Sequence, residues 1–375
     1  MLFWIVVVCI LFFLLIPREY SGKRVFSILS AAGCIFLILL SVFRFDIGWD
    51  YHNYFTLEVP DRGSWYELLF EGFDSIDTEY HRYKTFEPLS RLLYQIAIAF
   101  GWKPLIFVLF GGLTYILILK TCRDYSQSFA SAFFAYLALF YCDSLSIIRQ
   151  ALAVAVIFYS YRYFSKKKLL PFLLCVVVSA MFHKAAWCAL IIYPVYWWCS
   201  NKQVYYGIGI GLILSHILSD LLFSFFPKYK DEYASLPGGT IMIYFNLCLY
   251  ILLYLFVLYL YREKKEQTDQ TGETIIDMRL FKIVFLSLLF PFVLGLHLGI
   301  RVGSFYSIFV ILLFGAVPAF RKLSKPVAVS LMSCGFALFF LFFLHYTGRG
   351  RIDAPYFPYR CILFTNTAVM KDYSQ

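Results

Sequence analysis

The sequence RFDIGWDYHNY at residues 44–54 directly follows ILSAAGCIFLILLSVF at residues 28–43, and this change of character decides the fold. The first segment is almost entirely apolar, whereas the second gathers ionisable side chains. A helix needs roughly 20 mainly apolar residues to span a bilayer, or somewhat fewer when charged side chains flank it. The two segments therefore predict a membrane span that ends in a charged loop, where Gly48 supplies a bend.

The composition of the whole chain extends this prediction. Hydrophobic residues make up 61% of the sequence and charged residues 15%, and the mean hydropathy is +0.72. Soluble domains contain less hydrophobic and more charged sequence, so that class is excluded. We predict an all-α, polytopic integral membrane protein of about 12 transmembrane helices that forms one domain over residues 1–375. The candidate spans are residues 2–16, 25–43, 104–119, 128–142, 146–164, 169–182, 185–199, 203–225, 240–261, 279–298, 302–318 and 327–346.

The positions of Lys and Arg in short loops predict the orientation, because cytoplasmic loops are enriched in both residues. Placing residues 17–24 in the cytoplasm makes every predicted cytoplasmic connection basic, including the loop 262–279. Residues 44–103 then form a large extracytoplasmic loop, and residues 347–375 an extracytoplasmic tail. The net charge of +10 therefore indicates topology and contact with anionic membrane lipids, and no nucleic-acid partner is predicted.

The large loop is predicted to carry a short interfacial helix. Apolar residues at 89, 92, 93, 96, 97 and 100 recur at helical spacing. Pro88 occupies the first turn, and Glu87 lies at the positive end of the helix dipole. The segment is too short to cross a bilayer, so we expect it to lie on the outer leaflet.

Charged or polar residues also mark the outer ends of later spans. Arg149 and Gln150 begin one apolar run, His183 and Lys184 separate two others, and Arg301 follows a glycine-rich interruption. We expect these positions and the 44–54 loop to meet in one extracytoplasmic cavity. The alternative is that each cation is a snorkelling anchor at a span end, which is a common reason for charge at such positions.

The cysteines and carboxylates predict neither a metal nor a cofactor. The ten cysteines show no CxxC pair, and most lie inside apolar runs, where cysteine behaves as a small hydrophobic residue. A divalent ion between Asp46 and Asp50 is the alternative that stays open, and it is the less favoured one because hard-cation sites usually need more oxygen ligands than two residues supply.

A specific pattern begins at Arg44. Together with Gly48, Asp50, Tyr51 and Tyr54 it forms R-x-x-x-G-x-D-Y-x-x-Y after an early span. This pattern resembles the signature of EpsG-type polysaccharide polymerases, which are relatives of the Wzy O-antigen and capsule polymerases. Later landmarks resemble that family in the same order, so the resemblance covers most of the chain: Glu87-Pro88, Arg149-Gln150-Ala151 and Phe182-His183.

The resemblance implies a reaction and a location. Such an enzyme joins undecaprenyl-pyrophosphate-linked oligosaccharide repeat units, which serve as both donor and acceptor, on the outer face of the bacterial inner (cytoplasmic) membrane. It needs no cofactor, and a chain-length regulator protein is a candidate partner. Whether the product is O-antigen, capsule, exopolysaccharide or lipopolysaccharide stays open. Two other classes also stay open: a flippase or transporter of lipid-linked oligosaccharides, and an integral membrane acyltransferase of surface glycans.

The chemistry of this reaction suggests roles for the marked residues. Arginines suit a pyrophosphate leaving group, because their planar guanidinium can contact two oxygens at once. The attacking hydroxyl needs a base, and both His183 and Asp50 are candidates. The predicted catalytic residues are Asp50, His183 and Arg149. The predicted substrate-binding residues, for pyrophosphate or sugar, are Arg44, Asp46, Tyr51, Tyr54, Glu87, Gln150, Lys184 and Arg301.

Overall fold

In the computed structural model, the regular secondary structure of the described residues is helical, and loops connect the helices. The described residues are 2–16, 23–55, 86–214, 217, 255, 277, 279–294, 296–319, 324–348 and 356–364. Most of the acidic part of the large loop, the predicted span 240–261 except residue 255, and most of the connection 262–279 lie outside these residues, as does much of the tail. Within the described residues the one β-type pairing is an isolated bridge between Arg44 and Cys361.

The helices follow the apolar runs of the sequence closely. In chain order they are α1 (Leu2–Leu15), α2 (Lys23–Val42), α3 (Tyr51–Phe55), α4 (Pro88–Ala99), α5 (Leu105–Tyr125), α6 (Phe129–Leu139), α7 (Tyr141–Ser146), α8 (Ile148–Tyr159), α9 (Tyr161–Phe164), α10 (Leu169–Ala180), a 3-10 helix (Lys184–Ile191), α11 (Ile192–Trp197), α12 (Asn201–Ile213), α13 (Arg279–Leu286), α14 (Phe290–Val293), α15 (Leu296–Ser307), α16 (Val310–Ala316) and α17 (Lys325–Gly348). Two further short 3-10 turns are Val317–Ala319 and Ile362–Phe364.

The predicted count of about 12 transmembrane helices is not confirmed. Among the described residues two helices are long and apolar enough to cross a membrane, within α5 and α17, and the bent pair α15 and α16 adds a third if it is one span. Other apolar runs form shorter helices. The run 185–199 shows one reason, because Pro194 lacks the N–H that a continuous α-helix needs, and the segment divides into a 3-10 helix and the short α11.

Helix α8 lies at the centre of the bundle. It packs against α5 and α10 and also contacts α15 and the 3-10 helix. Its side chains from Leu152 to Phe158 are buried without interruption, as expected of a helix surrounded by protein on all sides. Arg149 and Gln150 lie in its first turn and are therefore held at one end of the core.

Helix α4 confirms the helix predicted over residues 89–100, and its N-terminus is fixed by contacts across the fold. The Leu89 backbone N–H donates to the Met181 carbonyl at 3.0 Å, and Ser90 Oγ donates to the Phe182 carbonyl at 2.8 Å. Both acceptors immediately precede His183. The start of α4 is thereby held against the turn between α10 and the 3-10 helix.

Candidate functional site

Arg44 lies in the protein interior and is 1% exposed. Its Nε donates to the Ile47 carbonyl at 3.2 Å, and its two terminal nitrogens donate to the carbonyls of Ser41 and Leu145, the latter at 3.0 Å. The guanidinium also lies over the Phe107 ring, 4.6 Å from its centroid. These contacts tie the end of α2 to the following loop and to α7, and they use each guanidinium nitrogen.

Gly48 brings this loop into close contact with α7. It has a φ of +105°, a conformation that residues with a Cβ rarely adopt. A Cβ at this position would also lie 2.5 Å from the Leu145 carbonyl oxygen. Directly after this contact the Trp49 backbone N–H donates to Ser146 Oγ at 3.1 Å. Trp49 and Asp50 are thus placed on the wall of a cavity.

Two other members of the predicted binding set also have protein partners. Tyr51 is fully buried, and its ring stacks on Phe107 with the centroids 4.4 Å apart. Asp46 Oδ2 lies 2.7 Å from a terminal nitrogen of Arg360 in the C-terminal segment. The structure therefore places Arg44, Asp46 and Tyr51 in contacts that shape the loop.

Glu87 joins three separate elements through one carboxylate. Its Oε2 lies 2.7 Å from a terminal nitrogen of Arg149, and the two side chains are only 11% and 18% exposed respectively. Its Oε1 accepts the Lys184 backbone N–H at 2.9 Å. The Arg149 guanidinium also lies 3.6 Å from the centroid of the Phe86 ring. Glu87 precedes α4 at the N-cap position but makes no side-chain cap there, because its oxygens are used in these contacts.

His183 lies among the cations of this group. Its Nδ1 accepts the Ala185 backbone N–H at 3.4 Å and so caps the 3-10 helix. Desolvation by the surrounding protein, together with the charges of Arg149, Arg301 and Lys184, lowers the pKa of His183 to about 3. The imidazole is therefore neutral near pH 7. Because Nδ1 is the acceptor, the ring proton lies on Nε2.

Tyr54 links α3 to the same charges. Burial raises the pKa of the Tyr54 hydroxyl, whereas Arg149 and Arg301 act in the opposite direction. The two arginines therefore lie within electrostatic range of both Tyr54 and His183. The structure thus brings together five predicted site residues from four regions of the chain, and Tyr54, Glu87, Arg149, His183 and Lys184 are called the cation cluster below.

Gln150 connects this cluster to the cavity. Its Nε2 donates to the Arg301 carbonyl at 2.7 Å and to Ser304 Oγ at 3.0 Å, so it holds α8 against α15. The residue is 2% exposed, yet its Oε1 has no hydrogen-bond partner within the described part of the chain, and the same holds for Arg149 Nε. Buried polar atoms are nearly always paired, so each of these two atoms is an argument for a ligand.

The cavity itself has a volume of about 390 Å³ and lies between α5, α6, α8 and α15. Gln150 and Val154 on one face of α8, with Ile147 just before that helix, form one wall at helical spacing, and Arg301 and Ser304 on one face of α15 form another. Of the predicted site residues, Asp50, Gln150 and Arg301 line it. Its walls include both apolar and polar side chains, which is usual for a pocket that binds an organic ligand.

The sequence analysis missed Asp143, which also lines the cavity. The predicted spans 128–142 and 146–164 leave residues 143–145 as a turn between them, but these residues belong to helix α7, and Asp143 lines the cavity. Asp143 is exposed by its accessible surface, although desolvation by the protein nearby raises the pKa of its carboxyl to about 6. The only sequence signal was a single carboxylate between two long apolar runs.

No group of three or more His, Cys, Asp or Glu side chains in the described ranges is arranged to hold a metal ion. Asp46 and Asp50 have different partners, since Asp46 pairs with Arg360 and Asp50 Oδ1 accepts a hydrogen bond from Asn53 Nδ2 at 3.3 Å.

The fold and this site define a class: a helical membrane protein with cationic and carboxylate side chains gathered at a cavity between broken helices. A family model, that of the EpsG family, matches residues 27–361. The chain therefore belongs to the EpsG family and is a membrane protein of polysaccharide biosynthesis, similar to polysaccharide polymerases. No curated protein and no solved structure matches it.

Proposed function

We propose that the protein joins oligosaccharide repeat units carried on undecaprenyl pyrophosphate, on the extracytoplasmic face of the bacterial cytoplasmic membrane. The observation that supports this best is the cation cluster beside the cavity. Arg149 of the cluster and Arg301 of the cavity wall both act on His183, and Asp50 and Gln150 line the same cavity. Family membership supports the same reaction class. The lipid-linked glycan is donor and acceptor, and a chain-length regulator protein remains a candidate partner.

The reaction breaks the bond between the anomeric carbon of the donor sugar and a pyrophosphate oxygen, and negative charge develops on that oxygen. Fixed cations in a site poor in water stabilise such charge more strongly than they would in solution. Arg149 is suited to this role, because its ion pair with Glu87 fixes the guanidinium while Nε stays without a partner among the described residues. Arg301 and the Lys184 ammonium add positive charge near the same point.

His183 fits a hydrogen-bond donor better than a base. With a pKa of about 3 it takes up a proton poorly, and its Nδ1 already accepts the Ala185 N–H. The Nε2–H can donate to a phosphate oxygen. Of the two bases considered from the sequence, this leaves the Asp50 carboxylate, which lines the cavity. Arg44, Asp46 and Tyr51 shape the loop that carries Asp50 and do not enter our proposed contacts with substrate.

Substitution of the arginines tests this proposal. Arg149→Lys and Arg301→Lys keep the charge but lose planar two-point contact with phosphate, so we expect long polymer to fall by at least about tenfold, and by about 100-fold or more for the alanine variants. Arg123→Ala is the matched control, because its side chain is 65% exposed and pairs only with the adjacent Asp124. Polymer length is read on gels from a strain in which each variant replaces the wild-type protein.

The outcomes separate the candidate functions. A null strain that accumulates surface glycan of a single repeat unit supports polymerisation. Build-up of the lipid-linked unit inside the cell would instead indicate a flippase, and loss of an acyl group with normal polymer length an acyltransferase. Full-length polymer from Arg149→Ala at wild-type protein levels would overturn the assignment of the cluster.

A further inference from the structure

The amide group of Gln150, on the cavity wall, has one paired end and one unpaired end. Its Nε2 donates to the Arg301 carbonyl at 2.7 Å and to Ser304 Oγ at 3.0 Å. A backbone carbonyl oxygen only accepts, so the amide atom that faces it is the NH2 group, and the other is the oxygen. This Oε1 is buried and has no hydrogen-bond partner among the described residues. The wall therefore contains an acceptor of fixed orientation that lacks a donor.

A second unpaired polar atom belongs to the same wall. Tyr136 lines the cavity and is buried, and its hydroxyl has no hydrogen-bond partner in the part of the chain that the structure describes. A tyrosine hydroxyl can donate as well as accept. Leaving such groups unpaired inside a protein is costly. The two atoms together indicate a ligand that carries both a donor and an acceptor.

Helices α8 and α15 run in the same direction along the cavity. The hydrogen bond from Gln150 to Ser304 joins the start of α8 to α15. Near the other end of α8 the ring centroid of Phe158 lies 5.7 Å from that of Phe309, just after α15. Positions along the two helices can therefore be compared turn by turn.

Helix α5 runs in this direction as well. The Tyr115 hydroxyl, in the middle of α5, lies 2.8 Å from Ser144 Oγ, which precedes α8. At the end of α5 the ring centroid of Tyr125 lies 5.1 Å from that of Tyr161, which follows α8. The three helices thus pass the cavity side by side.

Each of the three helices lines the cavity with a polar side chain and, one turn further on, with an apolar one. The pairs are Thr114 and Ile118 from α5, Gln150 and Val154 from α8, and Ser304 and Ile308 from α15 and the residue after it. Residues at this spacing share a face of a helix. The three apolar members are buried, whereas Trp49 and Ile300 elsewhere on the wall are exposed. The cavity therefore has a polar layer and, one turn deeper, an apolar layer enclosed by protein.

An acetamido group on a sugar matches this arrangement. Its N–H is the donor that Gln150 Oε1 lacks, and its methyl is a small apolar group for the layer formed by Val154 and Ile308. Its carbonyl or a ring hydroxyl can accept from the Tyr136 hydroxyl. A sugar with a hydroxyl at this position leaves the apolar layer without contacts, and a hydrocarbon chain leaves both polar atoms unpaired.

Arg301 indicates which sugar of the substrate enters. It lines the cavity, its carbonyl holds the Gln150 amide, and its side chain is a pyrophosphate contact in the function proposed above. The sugar closest to a pyrophosphate is the one bonded to it. We propose that the cavity binds this first sugar of the donor and that it is an acetamido sugar; the proposal rests on the proposed function. Gln150 Oε1 accepts the acetamido N–H, and the acetyl methyl packs against Val154.

The test measures binding to the purified full-length protein in lipid vesicles. The probes are undecaprenyl pyrophosphate linked to N-acetylglucosamine, to glucose or to 6-deoxyglucose. We expect the N-acetylglucosamine lipid to bind at least about fivefold more tightly than the other two, because burial of the acetyl methyl and pairing of Gln150 Oε1 both favour it.

Two substitutions of Val154 should change this preference in different ways. Val154→Thr puts a hydroxyl into the apolar layer at similar side-chain volume, so the preference should fall to about twofold or less. Val154→Ala makes room for a longer acyl chain, so an N-propionyl probe should gain affinity relative to the N-acetyl probe. Val156→Thr and Val156→Ala are the matched controls, because Val156 is buried in the same helix but does not line the cavity. Both should keep the wild-type preferences.

Equal binding of the N-acetylglucosamine and glucose lipids by the wild type would overturn the inference, and so would tighter binding of the 6-deoxyglucose lipid. It is also overturned if the Val154 variants change the affinities for all probes equally, since Val154 would then not contact the acetyl group. The proposed function fails separately if the wild type binds the lipid-linked sugar but forms no polymer from the complete repeat unit.

Discussion

His183 illustrates how single contacts define chemistry in this protein. One ring nitrogen caps the 3-10 helix, and burial together with three nearby cations lowers the pKa of the ring and keeps it neutral. The amide nitrogen of glutamine can occupy the place of Nε2, whereas an asparagine side chain can replace only Nδ1. The two substitutions therefore separate donation to the substrate from capping of the helix.

We predict that His183→Gln retains more activity than His183→Asn. Loss of a hydrogen bond to a charged phosphate costs about 1.5–3 kcal/mol, which is roughly 10- to 100-fold in rate. Neither variant should change the shape of the pH profile between pH 5 and 8, because the pKa of His183 is about 3 and the ring does not titrate there. Rates of polymer formation across this range are the measurement. A better rate for His183→Asn would show that capping is the main role.

Arg44 shows what residue patterns cannot predict. Its acceptors are the backbone carbonyls of Ser41, Ile47 and Leu145, and a carbonyl is present in every residue whatever its side chain. The sequence marked Arg44 as a cation at a span end but contained no sign that it turns into the core. Arg149 differs, because its partner Glu87 is itself a charge that the sequence shows beside an apolar run.

At the scale of elements, the close contact between α14 and α15 positions Arg301. A Cβ at Gly299 would lie 2.4 Å from Pro291 Cα and 2.5 Å from the Phe290 carbonyl oxygen. Backbone atoms at this distance cannot give way as a flexible side chain can. The glycine therefore permits the packing of two short helices directly beside a cavity residue.

We predict that Gly299→Ala destabilises the protein by about 1–3 kcal/mol and lowers activity by shifting Arg301. Gly335→Ala is the matched control, since it lies within helix α17 with no atom within 4 Å of the added Cβ. Alanine in an open helical position is neutral or slightly favourable. Thermal unfolding in detergent and polymer yield test both variants, and equal behaviour of the two would contradict the packing argument.

The sequence predicted the helical elements better than their lengths. Hydropathy located α1, α5, α10 and α17 because apolar side chains are what a membrane or a buried core selects. It could not show where a run such as 185–199 changes from 3-10 to α-helix, since that depends on backbone hydrogen bonding around Pro194. The sequence did not identify Asp143 as a cavity residue for a related reason. Its position on the cavity wall depends on the short helix α7, which only the three-dimensional structure shows.

At the scale of the whole molecule, the C-terminal segment closes the fold around the site. Phe45 N donates to the Arg360 carbonyl at 2.9 Å, and Ile362 N donates to the Phe43 carbonyl at 2.8 Å. Tyr356 adds contacts to α7, where its hydroxyl donates to the Cys142 carbonyl at 3.2 Å. The Trp4 indole N–H in turn donates to the Tyr356 carbonyl at 3.1 Å. Segments from both ends of the described chain therefore support the helix that carries Asp143.

Across the whole molecule, the charged side chains suggest two separate roles in the reaction. In our account the cation cluster binds the diphosphate that leaves, and the Asp50 carboxylate receives the proton of the hydroxyl that attacks. A carrier needs no such division, because it binds its cargo and releases it unchanged. Chemistry at the pyrophosphate bond is therefore the feature that distinguishes the account from its rivals.

The most direct test counts products from the purified protein in vesicles supplied with the undecaprenyl-pyrophosphate-linked repeat unit. Free undecaprenyl pyrophosphate and glycosidic linkages between repeat units are measured in the same sample over time. The account predicts that one undecaprenyl pyrophosphate is released for every linkage formed. Repeat units that remain single and lipid-linked, with or without transfer across the bilayer, would contradict it.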